Sequence, residues 1–382
     1  MKRGSLGLKQ PDGMMDLLPG QLAALEAVQR KALEVMQAWT YRRVRTPGLE
    51  FRDCVEPGAD QDDKLYKFFD RDGNILALRP EFTTPIARMA ASCCREETPP
   101  LRFCYAGPVY RYGAERQREF YQAGAELVGA ESHLADAEVL ALAVEVMKAL
   151  EARGFHLSLG HNGILSGFMQ EFGLKGELRR ELEDGIARKD IVKLEELIRA
   201  RGLPPEAAKL LTALPTLTGR EEVLDALDEW GWMPPVRRAA ETLRTIYSYL
   251  GEFGAQKDVT LDLGILQGFS YYTGAVFEGY LPGVGAPVLD GGRYDGLYGD
   301  FGFPQPATGF ALHLGLITEQ LEEIDIAGAD FLVYGQSPLK VIKRCRELRR
   351  AGKKVEMALS FLAEDKAKEL AAGRGIGMLE RV

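Results

Sequence analysis

The chain has 382 residues, 46% of them hydrophobic and 27% charged, with a formal net charge of −8. That length and apolar content can bury a full core in two or three domains. The acidic balance argues against nucleic acid as the main partner. No apolar stretch follows Lys2 and Arg3, so the N-terminus does not read as a signal peptide. The most apolar window, Val139–Leu150, contains Glu145 and Lys148 and is too short to span a membrane. The five cysteines (Cys54, Cys93, Cys94, Cys104 and Cys345) form no C-x-x-C pair and have no histidine at ligand spacing. Neither a metal site nor a disulfide framework is expected, and a reducing cytoplasm fits.

A turn-rich segment at residues 10–20 precedes a helix with apolar residues at Leu22, Leu25, Val28, Ala32, Val35 and Trp39. Tyr41–Pro47 reads as extended. Strand-like runs follow at Ile75–Leu78, Arg102–Tyr110 and Phe120–Val128, then a helix from about Leu134 to Arg153 that Gly154 stops. After a strand at Phe155–Leu159, residues 164–250 change character. They are helical and charged, broken at Pro204-Pro205, Pro215 and Pro234-Pro235, with no strand signal, and read as an insertion. Strand-like sequence returns at Val259–Ile265, Tyr271–Tyr280 and Ala307–Leu312. Non-local strands separated by helices predict an α+β domain around a largely antiparallel sheet. Beyond a boundary near Ile324–Ala329 the tail alternates β-α-β-α-β, the pattern of a small parallel or mixed sheet. The expected organisation is therefore a core over 1–325, with its insertion at about 164–250, and a small α/β domain over 326–382.

From Asp330 onward there are 12 Lys/Arg against 7 Asp/Glu, so the tail carries about +5. Its first helix, Pro338–Ala351, has an apolar stripe of Val341, Ile342, Cys345 and Leu348. Its basic residues fit a solvated outer face best, with docking to an acidic partner or RNA affinity left open.

Five clusters carry the chemical information: Leu78-Arg79-Pro80-Glu81-Phe82-Thr83-Thr84-Pro85, Gly107-Pro108-Val109-Tyr110-Arg111, Arg118–Glu126, Leu266–Gly274 and Asp290–Gly296. None is a phosphate loop or a nucleophile–base triad. A free amino acid needs acceptors for its ammonium, and Glu81, Thr83 and Gln122 can supply them. A neutral imidazole needs opposite partners at its two nitrogens, which Glu126 and Tyr272 can provide. Gln122 and Glu126 are four apart, so an extended backbone puts both on one face. By the same alternation Tyr271 and Tyr272 would face opposite ways, leaving only one for the pocket. The plainer alternative for Glu81 is a structural ion pair with Arg79 or Arg111.

At these clusters the chain resembles the histidyl-tRNA synthetase family of class II synthetases, over roughly residues 10–325. The resemblance implies the class II antiparallel sheet flanked by helices. It also implies a histidine pocket formed by Glu81, Phe82, Thr83, Arg111, Gln122, Glu126, Gln267, Tyr271 and Tyr272, with Arg111 near the ligand carboxylate. The departures are as informative. In the family an arginine stands where this chain has Gln267, and another, which holds ATP phosphates, where it has Leu316. The loop between Arg111 and Phe120 is shorter, and the tail is much shorter than an anticodon-binding domain. Activation builds charge on an α-phosphate and depends on placed cations, each worth roughly 3–4 kcal/mol.

Chains with these losses resemble the regulatory subunits of ATP phosphoribosyltransferase. That resemblance implies no catalytic residues, no cofactor and no metal. It also implies a short-form catalytic chain as partner, self-association through about residues 21–50, and L-histidine as effector. A divergent active histidyl-tRNA synthetase is the alternative, and a free-standing histidine- or tRNA-binding module a third reading.

Overall fold

Helix α1 (Pro19–Ala38) forms where the apolar period predicts it and buries Leu25, Val28, Ala32 and Met36. Of the extended Tyr41–Pro47 stretch only β1 (Arg42–Arg43) pairs as strand. Next come β2 (Leu49–Phe51), the one-turn helix α2 (Arg52–Val55), β3 (Lys67–Phe69) and β4 (Ile75–Leu78). These three strands form a separate antiparallel sheet in the order β2-β4-β3. Helix α3 (Thr83–Cys93) leads into β5 (Leu101–Tyr110) and β6 (Glu119–Val128), an antiparallel pair in register from Leu101↔Val128 to Tyr110↔Glu119. The structure is a computed structural model and describes residues 9–55, 63–113, 117–265, 271–321 and 328–382.

Helix α4 (His133–Ala149) is apolar nearly all round, as befits a helix buried against the sheet. Strand β7 (His156–His161) ends at a histidine that caps the next helix, its Nδ1 accepting from the Gly163 N–H at 3.0 Å. Burial holds the His161 pKa down to about 4, which keeps the ring neutral and able to accept. Helices α5 (Asn162–Glu171), α6 (Glu177–Ala187), α7 (Ile191–Arg201) and α8 (Pro205–Ala213) follow. After them come β8 (Thr218–Gly219), α9 (Glu221–Asp228) and α10 (Pro234–Glu252). Pro205 and Pro234 open their helices, where a missing N–H costs nothing. The strand β8 corrects the expectation of an all-helical stretch: two residues pairing with a sheet edge leave no periodic signal.

The chain then adds β9 (Val259–Asp262), β10 (Ala275–Tyr280), β11 (Leu289–Arg293), α11 (Leu297–Asp300), β12 (Ala307–His313) and α12 (Leu314–Thr318). The main sheet has nine strands in the order β1-β5-β6-β12-β11-β10-β7-β9-β8. It is antiparallel except where β1 meets β5 and β7 meets β9. Its face at Phe103 and Tyr105 packs under Phe82, Ile86, Ala87 and Ala90, and Gly124 and Glu126 lie directly across from those two residues. No strand is predicted at β11, which contains Gly291-Gly292. A Cβ at Gly291 would meet the Phe277 ring and the Gly309 carbonyl, and one at Gly292 the Ala275 carbonyl and the Tyr272 ring. Glycine is thus required in the strand by close neighbours, not by a bend.

The C-terminal residues form β13 (Phe331–Tyr334), α13 (Pro338–Arg350), β14 (Val355–Met357), α14 (Glu364–Gly373) and β15 (Met378–Arg381). The three strands are parallel in the order β14-β13-β15. Val341, Cys345 and Leu348 of α13 pack with Val333, while Ala367 and Ala371 of α14 pack with Leu332 and Tyr334. Ile342, expected in the apolar stripe of α13, is instead 50% exposed. It lies a quarter-turn past Val341, outside the strip that a single sheet covers. The chain divides into two compact units, Met1–Asp16 with Leu25–Glu322 and Leu17–Ala24 with Glu323–Val382. Among the described residues no helix is long and apolar enough to cross a membrane.

A buried ion pair fastens β11 to α4. Arg293 Nε donates to Asp136 Oδ1 at 2.8 Å, and its Nη1 donates to the Ala130 carbonyl and to Asp295. Removing one member of such a pair strands the other charge. Asp136→Ala is therefore expected to lower stability by about 3–5 kcal/mol in urea unfolding, and the double variant with Arg293→Met by less than the two single losses together.

Candidate functional site

Glu81 sits just before α3, and its carboxylate accepts the Thr84 N–H at 3.0 Å. A helix N-terminus favours a negative group there. Burial pushes the Glu81 pKa up, against the pull of the Thr84 and Thr83 hydrogen bonds and of Arg111. Arg79 is not held by Glu81. Its Nε and Nη1 donate to the Pro108 and Thr46 carbonyls, at 2.9 Å each. The Phe82 ring is clamped between the Arg79 guanidinium at 3.9 Å and the Tyr105 ring at 4.4 Å. Phe82 thus lines the cavity but works as a wall.

Strand β6 carries Gln122, Gly124 and Glu126 on one face, as the even spacing predicts. Glu126, 1% exposed, accepts from Thr83 Oγ1 at 2.9 Å and from the Tyr294 hydroxyl. Across the ladder stands Gly309, where any Cβ would overlap the Glu126 carboxylate. Gln122 is equally buried, and its Oε1 has no hydrogen-bond partner among the described residues. Arg111 closes the rim, donating Nε to the Pro80 carbonyl at 3.0 Å, with its guanidinium 5.1 Å from the Phe120 ring.

Tyr271 and Tyr272 both line the cavity, which corrects the expectation that only one could. They precede β10 and so escape the strand alternation on which that expectation rested. Their ring centroids are 4.9 Å apart, and Tyr294 lies 5.6 Å from Tyr271 and 6.3 Å from Tyr272. Gln267 falls outside the described residues. The structure thus gathers Glu81, Phe82, Thr83, Arg111, Gln122, Glu126, Tyr271 and Tyr272 around one cavity. It adds Tyr105, Asp290 and Tyr294, to which sequence reading gave no role. Tyr294 and Asp290 lay within the Asp290–Gly296 cluster, and the buried acid Glu126 was the signal that a hydroxyl partner had to be near. Leu316, in α12, contributes no charge.

Burial raises the Glu126 pKa to about 8, opposed by the hydrogen bonds from Tyr294 and Thr83. Burial also pushes the Tyr105, Tyr271, Tyr272 and Tyr294 hydroxyls well above their ordinary range, so all four stay neutral. The cavity therefore opposes three carboxyl groups (Glu81, Glu126 and Asp290) to one guanidinium, with neutral hydroxyls between them. Such a lining suits a small ligand rich in N–H donors. Among the described residues no group of His, Cys, Asp and Glu could hold a metal ion.

A family model described as Histidyl-tRNA synthetase matches residues 13–317. A relative in Desulfitobacterium hafniense (strain Y51), named ATP phosphoribosyltransferase regulatory subunit, is 48% identical over 376 residues, 98% of each chain. A relative of the same name in Moorella thermoacetica is 40% identical over 382 residues, again 98% of each chain. Among solved structures, an ATP phosphoribosyltransferase regulatory subunit/histidyl-tRNA synthetase from Bacillus halodurans C superposes with a TM-score of 0.85 at 29% identity, over 98% of both chains. Histidyl-tRNA synthetase from Nostoc sp. PCC 7120 superposes with a TM-score of 0.80 at 22% identity, over 97% of this chain and 90% of that one, and shows the fold alone. The α+β fold is thus the histidyl-tRNA synthetase fold of class II.

The raised Glu126 pKa fixes a sign. Folded Glu126 keeps its proton up to about 8, whereas an ordinary glutamate loses it near 4.5, so its contribution to stability is full below 4.5 and is lost as pH rises to 8. Glu126→Gln removes that dependence. Its stability relative to the parent should improve by up to about 1.4 kcal/mol per pH unit across that window, read from unfolding midpoints.

Proposed function

We propose, from the premise that the chain belongs to the family of ATP phosphoribosyltransferase regulatory subunits, that it is the non-catalytic subunit of that enzyme and senses L-histidine in the synthetase-like cavity. The observation that carries the ligand is Gln122. Among the described residues its Oε1 is an acceptor without a donor, almost fully buried in a cavity that also holds Glu81 and Thr83. An unsatisfied buried acceptor costs about 1–3 kcal/mol, which an arriving ammonium would recover. Glu126 and Tyr272 then stand ready for the two imidazole nitrogens, and Arg111 for the carboxylate.

Binding without activation follows from what the chain lacks. Gln267 and Leu316 stand where the synthetases have arginines, and each lost cation costs roughly 10²–10³ in rate where phosphate charge develops. Pyrophosphate exchange and tRNA charging are expected to be absent, which sets this reading apart from a divergent synthetase. The complex would perform the first step of histidine biosynthesis in the cytoplasm. The short catalytic chain would be this subunit's partner, and about residues 21–50 its self-association segment.

Calorimetry should show L-histidine binding that Glu126→Ala weakens by about 1.5–3 kcal/mol, the range for a hydrogen bond to a charged group. Unchanged affinity would place the effector elsewhere. Mixing with a short ATP phosphoribosyltransferase catalytic chain should give a larger species by light scattering. Histidine should shift its inhibition response by roughly 5–150-fold, the usual range of allosteric coupling. Separate elution, with histidine sensitivity independent of this chain, would refute the regulatory role.

A further inference from the structure

The C-terminal unit leaves an unusual amount of apolar side chain in water. Leu339 is 79% exposed, Ile342 50%, Leu359 91% and Phe361 58%. Topology explains why three of them share an end. In a parallel sheet every strand finishes on the same edge. Leu339 begins the helix that follows β13, and Leu359 and Phe361 follow β14, so all three stand at the carboxyl edge. Ile342 continues the patch one turn along α13 from Leu339.

The charges on α13 beside this patch are mostly basic, while Glu364 and Asp365 at the start of α14 follow Phe361. Val341, Cys345 and Leu348 turn one face of α13 to the sheet. The helical period then puts Lys343, Arg346, Glu347 and Arg350 on the outer face with Leu339, and Ile342 at its margin; Arg349 turns back to donate to the Val355 carbonyl. Lys343, Arg346 and Arg350 are exposed, with no carboxylate among the described residues paired to them. The acids of α13 and β15 are engaged elsewhere, Glu347 and Glu380 both with Arg344. An apolar centre with a cationic rim has the anatomy of a protein interface. Nucleic acid fits it less well: aliphatic side chains gain nothing from phosphates, and base stacking calls for aromatic planes, of which Phe361 is the single one here.

We propose that the outer face of α13 and the carboxyl edge of its sheet dock an acidic, apolar-centred surface of the catalytic chain. This rests on the regulatory-subunit reading, which requires an unlike partner. A second exposed apolar surface, at Leu49, Phe51 and Phe68, adjoins the segment assigned to self-association, and its sequence neighbours carry both signs of charge, Glu50, Arg52, Asp53, Lys67 and Asp70 among them.

Two variants test the docking face with purified full-length chains. One carries Lys343→Glu, Arg346→Glu and Arg350→Glu; the other carries Leu339→Ser and Ile342→Ser. Both change exposed side chains, and histidine binding by calorimetry serves as the control for folding. Each should weaken binding of the short catalytic chain by about tenfold or more, and the wild-type affinity should fall with added salt. Wild-type affinity in both variants overturns the docking face while leaving the regulatory reading intact. A wild-type chain that does not bind the catalytic chain at all overturns both. Loss of affinity for a tRNA probe alone, or a fall in the mass of the chain by itself, assigns the face to nucleic acid or to a second copy and equally overturns it.

Discussion

A carboxyl group buried in the middle of a sheet is costly to keep, and Glu126 sets much of what surrounds it. At 1% exposure it survives because Thr83 and Tyr294 both donate to it. Thr83 must then begin α3 over β6, and Tyr294 must leave β11 pointing back toward the same face. The strand across must be bare, which makes Gly309 obligatory, and β11 must be bare beneath Tyr272, which does the same for Gly292. One buried acid thus ties together a helix start, three strands and the glycine across from it. The sheet's interior positions are correspondingly poor in side-chain bulk where the cavity lies.

The walls follow a different logic. Phe82 lies flat between Arg79 and Tyr105, and Arg79 is in turn held by the carbonyls of Thr46 and Pro108. The guanidinium is thereby fixed away from the cavity, where it would neutralise the carboxylates. On the far side Phe120 lies between Arg111 and the ring of His313, itself 3.4 Å from Asp290. Phe82 and Phe120 are thus each set between a guanidinium and a second ring.

How much of this could be read from the chain depends on the kind of signal. Long amphipathic or apolar runs such as α1, α4, β5 and β6 were legible because periodicity survives whatever packs on them. Gln122 and Glu126 were legible as a pair because strand alternation is geometric. The misses were places where tertiary contact overrides local pattern. Gly291-Gly292, where no strand is predicted, sits in β11 under Phe277 and Tyr272. Tyr271 and Tyr272 lie four and three residues before β10, outside the pairing that was expected to begin at Tyr271, so strand alternation does not apply to them. Ile342 was assigned to a stripe that the sheet is too narrow to cover. Asp290 and Tyr294 could not be placed by any local rule, since their partners are more than twenty residues away.

The same fold can serve catalysis or sensing because the two make different demands on one cavity. An enzyme's rate depends on interactions stronger in the transition state than in the ground state. For amino-acid activation those are the cations that meet charge growing on phosphate. Acceptors for an ammonium and partners for an imidazole bind the ground state as well as the transition state and add nothing to the rate of the chemical step. Under the proposed function, replacing the cations by Gln267 and Leu316 removes the first class and leaves the second. What remains is reversible recognition of an amino acid, with no tendency to carry it toward reaction. A feedback sensor needs that property, since a ligand consumed on binding could not report its own concentration. A carboxyl group poised near neutrality, as Glu126 is, adds that occupancy and protonation are linked. A ligand that favours ionised Glu126 must displace a proton, so its grip weakens as the surroundings acidify.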